Sequence, residues 1–217
     1  MMPQTHPPIY LFSLSSNEEA ISIPSLDITF FKPDIDFSAC DAFILTSKQA
    51  VAALEQYPKE LYMQKKALCI SKATAEAFSK IGGEILEVGK GYGDSLYETV
   101  KKYPKSMRWL YLRAKEVASS FAKNLRSDGY RIEESVLYKS ECSQAIQSAN
   151  VAKEAILIFT SPSSVRCYMQ NHTFSKGHTV IVIGKTTARA LPKEIPFLLA
   201  PEPTIKSCMQ IAKNISL

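Results

Sequence analysis

Residues 42–51 read Ala-Phe-Ile-Leu-Thr-Ser-Lys-Gln-Ala-Val, and residues 156–165 read Ile-Leu-Ile-Phe-Thr-Ser-Pro-Ser-Ser-Val. In each, four residues of strand character run into Thr-Ser and then into a helical pattern. A short apolar run stopped by hydroxyl residues predicts a buried strand that turns directly into a helix, with serine as its N-cap. The second copy starts at 156 where the first starts at 42, an offset of 114. Another pair, Ile70-Ser-Lys-Ala-Thr-Ala-Glu-Ala77 and Ile183-Gly-Lys-Thr-Thr-Ala-Arg-Ala190, starts at 70 and 183, an offset of 113. Two matches in register predict two α/β domains built on one plan.

The same alternation extends outward in both directions. Runs of β character at 9–14, 28–31, 67–70, 84–88, 109–112, 131–139, 180–183 and 197–200 alternate with helical stretches. The helical stretches are 48–56, 71–81, 94–102, 117–127 and 143–152, with three more starting near 162, 186 and 204. Such alternation means parallel sheets with right-handed crossovers. The first Thr-Ser turn follows two strands, whereas the second follows only 131–139 and one helix. The shortfall is made good if the N-terminal strands complete the second domain. The expected architecture is two flavodoxin-like parallel-sheet domains joined by a two-stranded β-ladder. One is discontinuous, residues 1–32 plus 138–217; the other, residues 33–137, is inserted into it.

Hydrophobic residues at 46% and charged residues at 22% describe a globular chain and exclude collagen-like, mucin-like and disordered ones. Apolar runs such as Ala155 to Phe159 are too short to cross a membrane. The N-terminus has no cationic leader pattern, so a cytoplasmic protein is expected. The net charge of +5 suits an anionic ligand but is no nucleic-acid footprint. Five scattered cysteines without a C-x-x-C lead to no expected disulfide framework or zinc site. No metal set, Walker motif, G-x-G-x-x-G or nucleophile elbow occurs, so neither metal nor cofactor is expected. Gly89-Lys-Gly-Tyr-Gly93 follows a strand and reads as a turn and helix entry, or as a flexible rim of the cleft, in preference to a phosphate loop.

In open parallel sheets ligands bind beyond the carboxyl ends of the strands. Thr46-Ser47, Ser71 to Thr74, Thr160 to Ser163 and Thr186-Thr187 therefore present four helix starts toward an expected interdomain cleft. Backbone N–H groups and hydroxyls at helix starts bind anions. Taken singly, each is a helix cap; the repetition in both halves argues for a ligand with several carboxylates or phosphates.

These residues resemble the uroporphyrinogen-III synthase family along essentially the whole chain. The resemblance is carried by Asp41 to Val51, Ala73-Thr74-Ala75 before Gly82, Leu110-Tyr-Leu-Arg113, and Gly129 with Val136-Leu-Tyr138. It continues through Ile158 to Ser163, Ile183 to Ala188, and Ala200-Pro-Glu-Pro-Thr204. The sequence departs from the family pattern at Ala114, where glycine is usual, and at Pro192-Lys-Glu-Ile-Pro196. The resemblance implies a cofactor-free lyase, typically monomeric, acting on hydroxymethylbilane, a linear tetrapyrrole with eight carboxylates. It would remove the hydroxyl, invert ring D through a spirocyclic intermediate and close the macrocycle. Catalysis would then be orientation, with the carboxylates anchored by backbone N–H groups and hydroxyls. Tyr138, matching a family tyrosine in the returning linker strand, is the candidate for assisting departure of the hydroxyl. Thr46, Ser47, Gln49, Thr74, Thr160, Ser161, Ser163, Thr186 and Thr187 are the candidate substrate-binding residues. A transient contact with hydroxymethylbilane synthase is expected because the substrate cyclises spontaneously. Two competing readings are a non-catalytic tetrapyrrole or small-anion binding module of the same fold, and an α/β enzyme acting on a sugar or nucleotide phosphate.

Overall fold

The structure, a computed structural model, describes residues 7–117 and 119–215. In chain order the strands are β1 (Ile9–Ser13), β2 (Ile21–Pro24), β3 (Leu26–Phe30), β4 (Ala42–Leu45), β5 (Lys66–Cys69), β6 (Glu84–Val88), β7 (Arg108–Ala114), β8 (Arg131–Cys142), β9 (Ala155–Phe159), β10 (His178–Val182) and β11 (Leu198–Leu199). The helices are α1 (Lys48–Leu54), α2 (Lys59–Tyr62), α3 (Lys72–Lys80), α4 (Gly93–Val100), α5 (Phe121–Ser127), α6 (Gln144–Gln147), α7 (Pro162–Asn171), α8 (Lys185–Ala188) and α9 (Ile205–Ile215). The chain divides into two compact units, Met1–Asp27 with Glu141–Leu217, and Ile28–Ser140.

The discontinuous unit holds a five-stranded sheet in the order β11-β10-β9-β1-β2, parallel throughout. Its middle strand β9 is buried at every position, as a strand covered on both faces must be. Ala155, Leu157 and Phe159 face one core, and Ile156 and Ile158 the other. Phe12 of β1 stacks on Phe159 at 4.9 Å and meets Tyr168 of α7 edge-on at 5.1 Å.

The inserted unit carries a six-stranded sheet in the order β3-β8-β7-β4-β5-β6. From β8 to β6 its neighbours are parallel. Phe31 N–H donates to Leu137 O at 2.7 Å, and Ser143 N–H to Ser25 O at 3.2 Å. Those partners advance in opposite directions along the chain, so β3 runs antiparallel to β8. Alternation recurs in β4, where Phe43 and Leu45 face one core and Ala42 and Ile44 the other. Gly82, with φ +93°, ends α3 in the left-handed conformation that glycine permits, and Gly83 N–H closes the helix on Phe78 O at 2.9 Å.

Four sequence expectations need correction. The strand expected at 28–31 is β3, and it lies in the six-stranded sheet rather than with β1. The second strand of the five-stranded sheet is instead β2, Ile21–Pro24, four residues cut off by proline and too short to carry a pattern of its own. The helix expected over 143–152 is the single turn α6, and that expected over 117–127 is α5. Finally, Cys142 and Cys167 form a disulfide across a separation of 25 residues, although no bridge was expected. Spacing along the chain could not reveal it, because β8 and α7 bring the two residues together only through the fold.

Candidate functional site

In each unit the strands present their carboxyl ends at one edge, and the sequence-identified hydroxyl residues gather there. In the inserted unit, β4 ends at Leu45 and the chain turns through Thr46 and Ser47 into α1. Ser47 is the N-cap, and its Oγ accepts from Gln49 N–H at 3.0 Å. Two tyrosines converge on this turn. Tyr111 of β7, packed in the core on one face of the sheet, places its hydroxyl 3.2 Å from Thr46 Oγ1. Tyr138 of β8, packed in the core on the other face, brings its hydroxyl toward the Ser47 side chain.

Tyr138 owes its position to an irregularity in β8. Arg113 pairs with Val136, but Ala114 pairs with Tyr138, so Leu137 is an extra residue. A bulge of this kind re-aims the following side chain. Backbone bonds hold it on both sides, from Phe31 N–H to Leu137 O and from Lys115 N–H to Tyr138 O, each 2.7 Å. Burial pushes the Tyr138 hydroxyl above its ordinary value, and the Ser47 side chain pulls in the other direction. The net rise leaves it a neutral phenol at physiological pH, able to donate a hydrogen bond. Tyr111 is also pushed up, chiefly by burial.

At the neighbouring turn, Ser71 caps α3 by accepting from Thr74 N–H at 3.4 Å. Thr74 is buried and its Oγ1 lies 3.2 Å from Ser71 Oγ, so this hydroxyl belongs to the cap. Gln49 is half-buried at the start of α1. Arg113 pairs with Glu134 and donates to Ala114 O and Lys115 O at 2.9 Å each, fixing the start of the loop after β7.

In the discontinuous unit, β9 is followed by Thr160, whose Oγ1 donates to Phe12 O at 3.2 Å. Ser161 caps α7 through a reciprocal pair with Ser164, the two side chains each bonded to the other's backbone N–H at 3.0 and 3.2 Å. Ser163, half-buried, accepts from Arg166 Nη2 at 3.4 Å. At the next turn Gly184 occupies the N-cap of α8 and supplies no side chain. The space where a Cβ would sit is open. Thr186 is exposed and Thr187 buried. The equivalent turns thus differ: Ser71 fills the start of α3 with its own hydroxyl, whereas the start of α8 is left to whatever approaches it.

The structure therefore gathers Thr46, Ser47, Gln49 and Tyr138 at one edge of the inserted unit, and Thr160, Ser161, Ser163, Thr186 and Thr187 at one edge of the other. Tyr111, which lies against Thr46, was not singled out in the sequence because it reads as one apolar position in an alternating strand. The only signal for it was its place in Leu110-Tyr-Leu-Arg113. Among the described residues no group of three or more His, Cys, Asp or Glu could hold a metal ion, and no helix is long and apolar enough to cross a membrane.

A family model described as uroporphyrinogen-III synthase HemD matches residues 15–210. No curated protein sequence matches the chain. Among solved structures, the uroporphyrinogen-III synthetase of Helicobacter pylori superposes with a TM-score of 0.79 at 23% identity, covering 96% of this chain and 99% of that one. A mutant uroporphyrinogen III synthase of Thermus thermophilus gives a TM-score of 0.62 at 14% identity, covering 95% and 98%. At these identities the two structures establish a shared α/β fold.

Proposed function

The chain belongs to the uroporphyrinogen-III synthase family, which cyclises hydroxymethylbilane in tetrapyrrole biosynthesis, and on that premise we propose how its own residues divide the work. Tyr138 assists departure of the substrate hydroxyl. Its phenol gives a proton to the leaving oxygen, water departs, and the proton released after ring closure returns to the phenolate. The electron-rich pyrrole supplies most of the driving force, so a neutral phenol is acid enough.

Each unit by itself offers a set of donors suited to substrate carboxylates. On the inserted unit these are Thr46, Ser47 and Gln49; Thr74 belongs to the set only through the backbone of its turn. On the other unit they are Thr160, Ser161, Ser163 and the start of α8 with Thr186 and Thr187. Holding the chain so that ring D is attacked at its substituted carbon is orientation catalysis. The enzyme is assigned as a monomer of the cytoplasm, meeting hydroxymethylbilane synthase transiently. The observation that carries the residue assignment is the bulge at Leu137, which sets a buried, neutral Tyr138 against the Thr46–Ser47 turn.

An isomer assay tests it. Hydroxymethylbilane is generated in situ, the products are oxidised, and isomers I and III are separated by chromatography. The wild type yields predominantly isomer III. Tyr138→Phe keeps its thermal unfolding midpoint but loses turnover on the order of a hundredfold. Full activity in that variant removes Tyr138 from the mechanism. Only isomer I from folded wild type favours the non-catalytic binding module.

A further inference from the structure

We propose that Cys142 and Cys167 form a reversible dithiol–disulfide site, opened by a small dithiol reductant and closed by the corresponding disulfide. Their Cα atoms lie 5.3 Å apart, Cys142 as the last residue of β8 and Cys167 within α7. The two sulfurs differ in access. Cys167 is 3% exposed, whereas Cys142 is only half-buried. An incoming thiolate therefore attacks Cys142 Sγ, and Cys167 is the leaving group.

The exchange balances. The first thiolate of the reductant bonds to Cys142 Sγ as the protein S–S bond breaks, and Cys167 leaves as a thiolate that takes up a proton. The second thiol of the reductant then attacks its partner sulfur in the mixed disulfide and releases Cys142. The reductant ends as a disulfide, and two electrons with two protons have passed to the protein. Closure is the reverse, with glutathione disulfide or an oxidised dithiol as the oxidant.

The other three cysteines do not compete. Cys40, Cys69 and Cys208 are buried, and burial raises all three thiols, Cys69 to about 12 and Cys208 to about 11. In the cytoplasm proposed above, an accessible bridge is a sensing site rather than a permanent staple. Its place gives it something to act on. Ser143, next to Cys142, is bonded to Ser25 O and Pro24 O, so the bridge fastens α7 to the strand end where these two segments meet. Opening it frees α7 from that anchor.

The experiment uses the purified full chain, held in oxidised glutathione or in millimolar dithiothreitol without denaturant. Free thiols are trapped with N-ethylmaleimide and located by peptide mass. After oxidation, Cys142 and Cys167 are unlabelled. After native reduction both are labelled, while Cys40, Cys69 and Cys208 are not. The unfolding midpoint falls by about 5–10 °C on reduction. Cys142→Ser unfolds like the reduced wild type and ignores dithiothreitol. Cys167→Ser takes up one glutathione, on Cys142. Labelling of Cys142 and Cys167 after oxidised glutathione overturns the proposal. A bridge that opens only in denaturant overturns it equally, as does a Cys142→Ser protein that still responds to dithiothreitol.

Discussion

A threonine hydroxyl can hold a carboxylate well only if its single proton points at it. Tyr111 can supply that condition for Thr46, since either hydroxyl of the pair can donate to the other. The phenol is buried, stays protonated, and lies 3.2 Å from Thr46 Oγ1. If Tyr111 donates, the threonine proton is free to point outward to a substrate carboxylate. Tyr111 is then a positioning residue. Tyr111→Phe should raise KM roughly fivefold, the equivalent of about 1 kcal/mol for one hydrogen bond, and leave kcat unchanged. Thr46→Val should raise KM at least as far, and adding Tyr111→Phe to it should cost nothing more. An undiminished effect in the Thr46→Val background would mean that Tyr111 acts elsewhere. No effect of Thr46→Val alone would remove Thr46 from the binding set and leave the positioning idea without an object.

At the level of elements, the two halves repeat the same strand-turn-helix unit and finish its helix differently. Ser71 and Gly184 occupy corresponding positions, and only the serine closes its helix from within. Ala188 and Arg189 N–H groups bond back to Gly184 O and Lys185 O, while the N–H groups of residues 185–187 show no such partner. Gly184 has φ −173°, an extended conformation any residue adopts, and open space beyond its missing Cβ. Gly184→Ser should therefore fold normally and gain a few tenths of a kcal/mol from its new cap. It should also fill the donors offered to a carboxylate, so KM should rise roughly fivefold for about 1 kcal/mol of lost anchoring. Steady-state kinetics beside a thermal melt separate the two effects; a stabilised protein with unchanged KM would take α8 out of the site. The hydroxyl turns were legible in the sequence because strand, cap and helix follow one another within ten residues. The bulge at Leu137, the reach of Tyr111 to Thr46 and the Cys142–Cys167 bridge were not, because each depends on which strands and helices become neighbours. Thr74 shows a different limit: the motif was visible, but the contact of its hydroxyl with Ser71 was not.

For the whole molecule, chain threading decides which pieces can fold alone. The missing strand before the second Thr-Ser turn was readable from the sequence, and β1 fills it. It does so in the interior of the sheet, between β9 and β2, where Phe12 packs on Phe159 and Tyr168. Residues 141–217 on their own lack two of five strands, and the loss of Phe12 packing by itself costs about 3–5 kcal/mol. That is comparable to the whole stability of a small domain, about 5–15 kcal/mol. A fragment of residues 141–217 should therefore show no cooperative urea transition by circular dichroism, even with Cys142 and Cys167 bridged. Residues 26–142 hold all six strands of the other sheet and both of its cores, and should unfold cooperatively. A synthetic peptide of residues 7–27 added to the first fragment should restore its transition, because it supplies β1 and β2 together. Cooperative folding of 141–217 without the peptide would mean that the N-terminal strands decorate that sheet rather than complete it.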